Sequence, residues 1–237
     1  MRFALNLAGG AAVLALGLSS AHAVTFADYV APAPGAANIS LSGTTLTASA
    51  PILFDYTFPS ALAPLGFVDA TLTLNATEAG AVGLGSASLA RFNGWFSIDY
   101  SGAAVTVGGV TLSPGEVLLA GVFNDALFDA LGSAGSVIDS LSGGGIVAYA
   151  NNALLNFSQT SDQSFSINLT NISPAVSVNA SGDLSNFSGV SEGAFASDDP
   201  SLTSDVPEPA TWTLMALGFF SLGVAGYSRR RRRSAAQ

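Results

Sequence analysis

From Leu46 to Phe58 the apolar side chains fall on every second residue: Leu46, Ala48, Ala50, Ile52, Phe54, Tyr56 and Phe58, with mostly Thr, Ser, Asp and Pro between them. A period of two places one set on each face of a strand. The pattern returns at Val68-Ala70-Leu72-Leu74, Phe96-Ile98-Tyr100, Val105-Val107, Phe165-Ile167-Leu169 and Val176-Val178-Ala180. Turn-forming residues separate these runs, among them Pro64, Gly94, Ser101-Gly102, Gly108-Gly109, Ser113-Pro114-Gly115, Ser173-Pro174 and Ser181-Gly182. Strands of roughly five to eight residues at such spacing predict an all-β body over residues 24–205, an antiparallel β-sandwich or jelly roll. One segment dissents. Asn124 to Leu131 (NDALFDAL) has apolar residues at helical spacing ahead of Gly132, which predicts at most one short helix. Residues 27–38 and 198–209 are rich in Pro, Ala or Asp and read as linkers.

The charges of this body narrow its chemistry. It holds fifteen carboxylates against one basic side chain, Arg91, a formal charge of −14. Nothing in it can neutralise phosphates, which excludes nucleic acid as a partner. The chain has no cysteine and no lysine, and its one histidine is His22. Serine or cysteine relays, imidazole or thiolate zinc sites, Schiff-base lysines and P-loop lysines are therefore all closed to the body. No disulfide closes its loops, so an apolar core must hold it together.

Carboxylate pairs remain as an enzymatic route, as in glycoside hydrolysis. Asp125 and Asp129 would share one face of the short helix, but a solvated face explains them as well. Asp99, Glu78, Glu116 and Glu192 stand apart and read as strand-edge or loop charges that keep the sheet soluble. Asp198, Asp199 and Asp205 form the densest acidic cluster without the spacing of a calcium loop, and read as solvated linker charge. Seven N-x-S/T triplets, at Asn38, Asn75, Asn156, Asn168, Asn171, Asn179 and Asn186, are expected by chance in so Asn-, Ser- and Thr-rich a chain. The expectation is a protein without catalytic residues, metal or cofactor. Trp95 is out of phase with Phe96-Ile98-Tyr100, so it can point outward as a platform for a sugar face, but core packing at a strand end is the expected role of a lone tryptophan beside Gly94. Thr45-Leu46-Thr47 and Thr71-Leu72-Thr73 raise an ice-binding face, but such a face needs a long repeated threonine array, and no fixed repeat is visible.

Both ends read as addresses. Residues 1–23 have a basic start at Arg2, an apolar stretch from Phe3 to Leu18, and the small-residue site Ala21-His22-Ala23. That is a secretory signal peptide cut by signal peptidase after Ala23. At the other end Val206-Pro207-Glu208-Pro209 precedes eighteen uncharged residues, 210–227, then Arg229, Arg230, Arg231, Arg232 and Arg233. As a helix the segment is about 27 Å long, enough to span a bilayer. Basic residues at such a boundary stay in the cytoplasm, which leaves the body outside. Two prolines around Glu208 hold the preceding chain extended and open to a processing enzyme.

This order of Pro-Glu-Pro motif, single apolar span and arginine run resembles the PEP-CTERM sorting signal of Gram-negative bacteria; Trp212, Leu214, Gly218, Leu222 and Gly223 also fall where that signal has such residues. The resemblance covers only the tail, residues 206–237. It implies cleavage at or near the motif by a membrane-embedded exosortase, then release or attachment at the surface of cells that commonly make exopolysaccharide. The same tail is known as an ice-binding protein C-terminal domain, which describes the tail and not an activity. More weakly, Phe54, Tyr56, Thr57 and Phe58, the FNGWFSI block from Phe92, and the glycine-spaced segment from Gly182 to Gly193 resemble uncharacterised PEP-CTERM exported proteins that share no agreed activity. The expected protein is an inner-membrane-anchored precursor processed into a structural component of the surface or extracellular matrix. The alternatives are a carbohydrate-binding surface module, a carboxylate-dependent hydrolase and an ice-binding protein.

Overall fold

The computed structural model describes residues 23–33, 35–84, 87–107, 109–139 and 146–203. The elements are strands: β1 (Val24–Val30), β2 (Ile39–Ser42), β3 (Thr45–Tyr56), β4 (Val68–Leu84), β5 (Ala87–Tyr100), β6 (Val105–Val107), β7 (Val110–Leu112), β8 (Val117–Leu131), β9 (Ala134–Asp139), β10 (Ile146–Tyr149), β11 (Leu155–Asn156), β12 (Ser164–Ser173), β13 (Phe187–Ser197) and β14 (Ser201–Leu202), with one 3-10 turn at Ala63–Leu65. The all-β expectation holds, but the architecture is a closed barrel and not a sandwich or jelly roll. The ring runs β1, β3, β4, β5, β8, β9, β12, β13 and back to β1, every pairing antiparallel. Apart from the short insertions, neighbours in the ring are neighbours in sequence, an up-and-down barrel.

Period two is common to sandwiches and barrels, so strand length decides between them. β4, β5 and β8 have 17, 14 and 15 residues, far longer than sandwich strands. Long twisted strands coil, and bulges bend them further. Register shifts occur between Glu78 and Ala81, between Phe92 and Gly94, and between Thr170 and Ser173. Closure pairs each of these eight staves on both sides, while β10 lies off the ring and pairs with β8 alone among the described residues.

The segment read as a helix is the second half of β8. At the bulge, Asn124 and Asp125 together oppose Asn93, Asp125 takes φ 61°, and its N–H donates to Asn93 Oδ1 at 2.6 Å. The extra residue moves the inward side chains from Phe123 to Ala126, three positions on, before alternation resumes at Phe128 and Ala130. A skip of three followed by steps of two imitates helical spacing. The linker reading of residues 27–38 also fails at its start, because Ala27, Asp28, Tyr29 and Val30 belong to β1. On the C-terminal side, Asp198 accepts the N–H and hydroxyl of Ser161 at 2.7 and 2.8 Å, and β14 pairs with β11.

Inward residues fill the barrel. Phe26, Phe54, Phe92, Phe96, Phe123, Phe128, Phe165 and Phe195 are at most 2% exposed, and their rings meet Tyr56, Tyr149, Phe157 and Phe187 in edge, tilted and stacked contacts. Chain segments cover both mouths. Phe157 packs on Phe26 and Tyr149 at one. At the other, Ala81 N–H donates to Gly182 O, Val176 N–H to Gly132 O, and Leu184 N–H to the Glu78 carboxylate. The outward residues of β3, β4 and β12 are mostly Thr, Ser and Asn. A membrane-spanning barrel has the opposite order, apolar outside and polar inside.

Candidate functional site

With rings occupying the interior, ligand contacts fall to the outer wall. Trp95 stands there, 45% exposed, on β5. Its orientation follows from alternation, since Phe96, Ile98 and Tyr100 point inward. The β4–β5 register sets Asn75 opposite Trp95, and the β5–β8 register sets Val122 opposite it on the other side. Val122 is 56% exposed and lies opposite Ala148 of β10. Trp95, Ser97, Ala120, Val122, Ala148 and Ala150 line a shallow concavity of about 330 Å³.

The same transverse row continues the other way through Thr47, Ser40 and Ser188. It ends in a second concavity of about 390 Å³ lined by Asn38, Ser40, Thr47, Ser49 and Ser188. This one lies at a seam, where β1 ends and β2 has yet to begin between β3 and β13. The Asn38 side chain stands in for the missing strand. Its Oδ1 accepts Ser191 N–H at 2.6 Å and its Nδ2 donates to Ser191 O at 3.3 Å, while Tyr29 Oη donates to Ser191 Oγ at 3.1 Å. The two Thr-x-Thr pairs lie on adjacent strands but out of register, with Thr45 opposite Thr77, Thr47 opposite Asn75, Thr73 opposite Ser49 and Thr71 opposite Pro51.

The carboxylates are dispersed. Asp125 pairs with Arg91 at 3.1 Å, both partly exposed, and Arg91 also donates to the Asp125 carbonyl. Asp129 is exposed further along β8. Asp99 accepts the Ser97 hydroxyl at 2.8 Å, Glu116 accepts Ser113 N–H at 2.7 Å in a turn, and Glu192 is exposed. Glu78, expected as an edge or loop charge, is buried, and both its oxygens face Leu184 N–H at 3.0 and 3.2 Å. Burial pushes its carboxyl above the usual range, with Asp183 adding to the effect. Its place at the β4 bulge was not readable from residue type.

Sequence reading also missed Asp28 and Asp55, which lie directly opposite each other on β1 and β3. Neither lines the two concavities above. Partial burial raises both, and Asp55 raises Asp28 further; Asp55 Oδ1 is buried and accepts no hydrogen bond. A carboxyl raised in the folded state stabilises the fold only while protonated. The contribution is full below the unfolded carboxyl range and is lost as pH rises through the folded value. Asp55→Asn is therefore expected to melt like the wild type in acid and above it at neutral pH. Melting curves from pH 3 to 7 check this, and a gap that fails to widen with pH would refute it.

Of the residues singled out in the sequence, Trp95 lies on the wall and Ala23 is exposed immediately before β1. Ala21, Val206, Pro207, Glu208, Pro209, the 210–227 segment, Arg229, Arg230, Arg231, Arg232 and Arg233 lie outside the described residues, as does Asp205. Fold and wall together define a closed up-and-down antiparallel barrel with an aromatic interior, a hydroxyl-rich exterior and one exposed tryptophan strip. No protein family, curated protein or solved structure matches the chain.

Proposed function

We propose that the chain is an exported structural protein of the cell surface or extracellular matrix, made as a precursor and trimmed at both ends. One observation carries the reading. β1 begins at Val24, the residue after the Ala21-His22-Ala23 site, and the last described strand ends at Leu202, short of Val206. Cuts at the two expected points thus fall outside the barrel and release all of its staves. A barrel whose eight staves pair all the way round presents little open edge to other chains outside the cell. Signal peptidase and an exosortase are the partners of this route, and exopolysaccharide is the setting. The non-catalytic character of the reading rests on the side chains the body lacks.

The test replaces Pro207, Glu208 and Pro209 together by alanine in the producing organism. The wild type should yield a mature mass without the arginine run, and the variant a membrane-bound form that retains Gln237. An unchanged mature mass after the replacement would remove the sorting reading.

A further inference from the structure

We infer that the Trp95 strip is a binding face for a neutral glycan, with the indole as stacking platform and Asn75, Thr73 and Ser97 as hydrogen-bonding flank. Three features of the wall converge on that class. The first is the order of side chains along one row. Asn75, Trp95 and Val122 lie on three adjacent strands, directly opposite one another in register. An amide that both donates and accepts, an aromatic face and an aliphatic contact match a pyranose, which has hydroxyls at its rim and C–H groups on its faces. Strands are about 4.8 Å apart, close to the advance of one ring in an extended pyranose chain, so neighbouring sugars can meet neighbouring strands.

The second feature is relief. Besides Val122, the outward side chains around the indole are Ser97 on β5, Ala120 on β8, Ala148 on β10 and Ala150 just after it. They are short, and Trp95 is the exposed ring of the concavity, since Phe96 and Tyr149, which also line it, are buried. On the next row Thr73 lies opposite Ser97, two residues from Asn75 and Trp95 respectively. The Ser97 hydroxyl donates to Asp99 and so keeps its lone pairs for a sugar hydroxyl.

The third is charge and area. The strip is uncharged in a body of formal charge −14. The nearest ions are already engaged, Asp99 by Ser97 and Asp125 by Arg91. An anionic polymer would meet a repulsive field, whereas a neutral one would not. A partner protein needs about 800 Å² on each side, whereas the large exposed apolar groups of this wall are few, Trp95, Val122 and Ile146 set among alanines, and the wall is fully paired on both sides of β5.

The inference rests on the export reading only for its setting, so its test is made on purified protein. Full-length chain carrying Trp212→Phe has Trp95 as its only indole. Cellohexaose, xylohexaose and mannohexaose are titrated while indole emission is followed, with oligogalacturonate as the anionic counterpart. At least one neutral hexaose should give a saturable shift, and oligogalacturonate at low salt a much weaker one. Trp95→Ala should lose retardation on a gel containing the corresponding neutral polysaccharide by tenfold or more, Trp95→Phe should keep part of it, and Asn75→Ala should lose severalfold. Cooperative urea transitions of wild-type slope show that these variants fold. The inference is overturned if none of the neutral hexaoses binds, if oligogalacturonate binds equally well, if Trp95→Ala binds as the wild type does, or if emission shifts only with protein concentration, the mark of self-association. None of these outcomes alters the mature mass that decides the processing reading.

Discussion

Alanine at Gly94 is expected to cost about 3 kcal/mol, the upper end of what one methyl group forced into a packed site removes. A β-carbon there would lie 2.4 Å from the Asn75 carbonyl oxygen and 2.6 Å from both Cα and Cβ of Ala76. The first two belong to the β4 backbone, so no rotamer change relieves them; β4 and β5 must part where their pairing is longest. Away from a clash the sign would reverse, since glycine in a strand costs roughly 0.5–1 kcal/mol relative to alanine. Gly83→Ala serves as the control, because its nearest neighbours are Val178 side-chain atoms at an ordinary 3.6 Å. The urea midpoint should fall sharply for Gly94→Ala at unchanged slope and stay near the wild type for Gly83→Ala. Equal midpoints for the two would mean that the close approach of β4 and β5 is not a feature of the folded wall.

Gly94 also shows how far the sequence could be read. Its residue type marks a turn, and the chain around it otherwise alternates cleanly, so a boundary between two short strands was the natural expectation. The structure runs β5 straight through it, because the missing side chain serves close strand packing and not a turn. Similar ambiguities hid the barrel. Period two fixed which residues face inward from Leu46 to Tyr56, and it put Trp95 out of phase with the inward set without excluding the core packing that its 45% exposure rules out, but it contains nothing about how many strands share a ring. Closure depends on β1 and β2 sharing one position between β3 and β13, a pairing across more than 140 residues that no local pattern encodes. Asp28 and Asp55 were invisible for the same reason. Each is an ordinary strand Asp until register sets them side by side.

The absence of disulfides throws the stability of the body onto the aromatic interior, and Phe96 tests how much. Its ring lies 5.2 Å from Phe195, 5.9 Å from Phe165 and 6.3 Å from Tyr149, measured between centroids. One side chain of β5 thereby ties together β13, β12 and β10. The ring also takes up the space over Gly121, where a β-carbon would lie 2.9 Å from it, so its removal opens a void that the wall opposite cannot fill. Phe96→Ala is expected to cost about 3–5 kcal/mol, a large share of the 5–15 kcal/mol that holds a typical domain together. In a domain of this size that lowers the melting temperature by about 10 °C. Trp95→Ala, one residue away and pointing outward, should cost about 1 kcal/mol or less. The pair thus separates two duties on one strand: Phe96 holds the barrel, and Trp95 meets whatever lies outside it. Calorimetry of the two variants decides the matter. If Trp95→Ala melts as early as Phe96→Ala, the indole is a packing residue and the glycan strip has no platform.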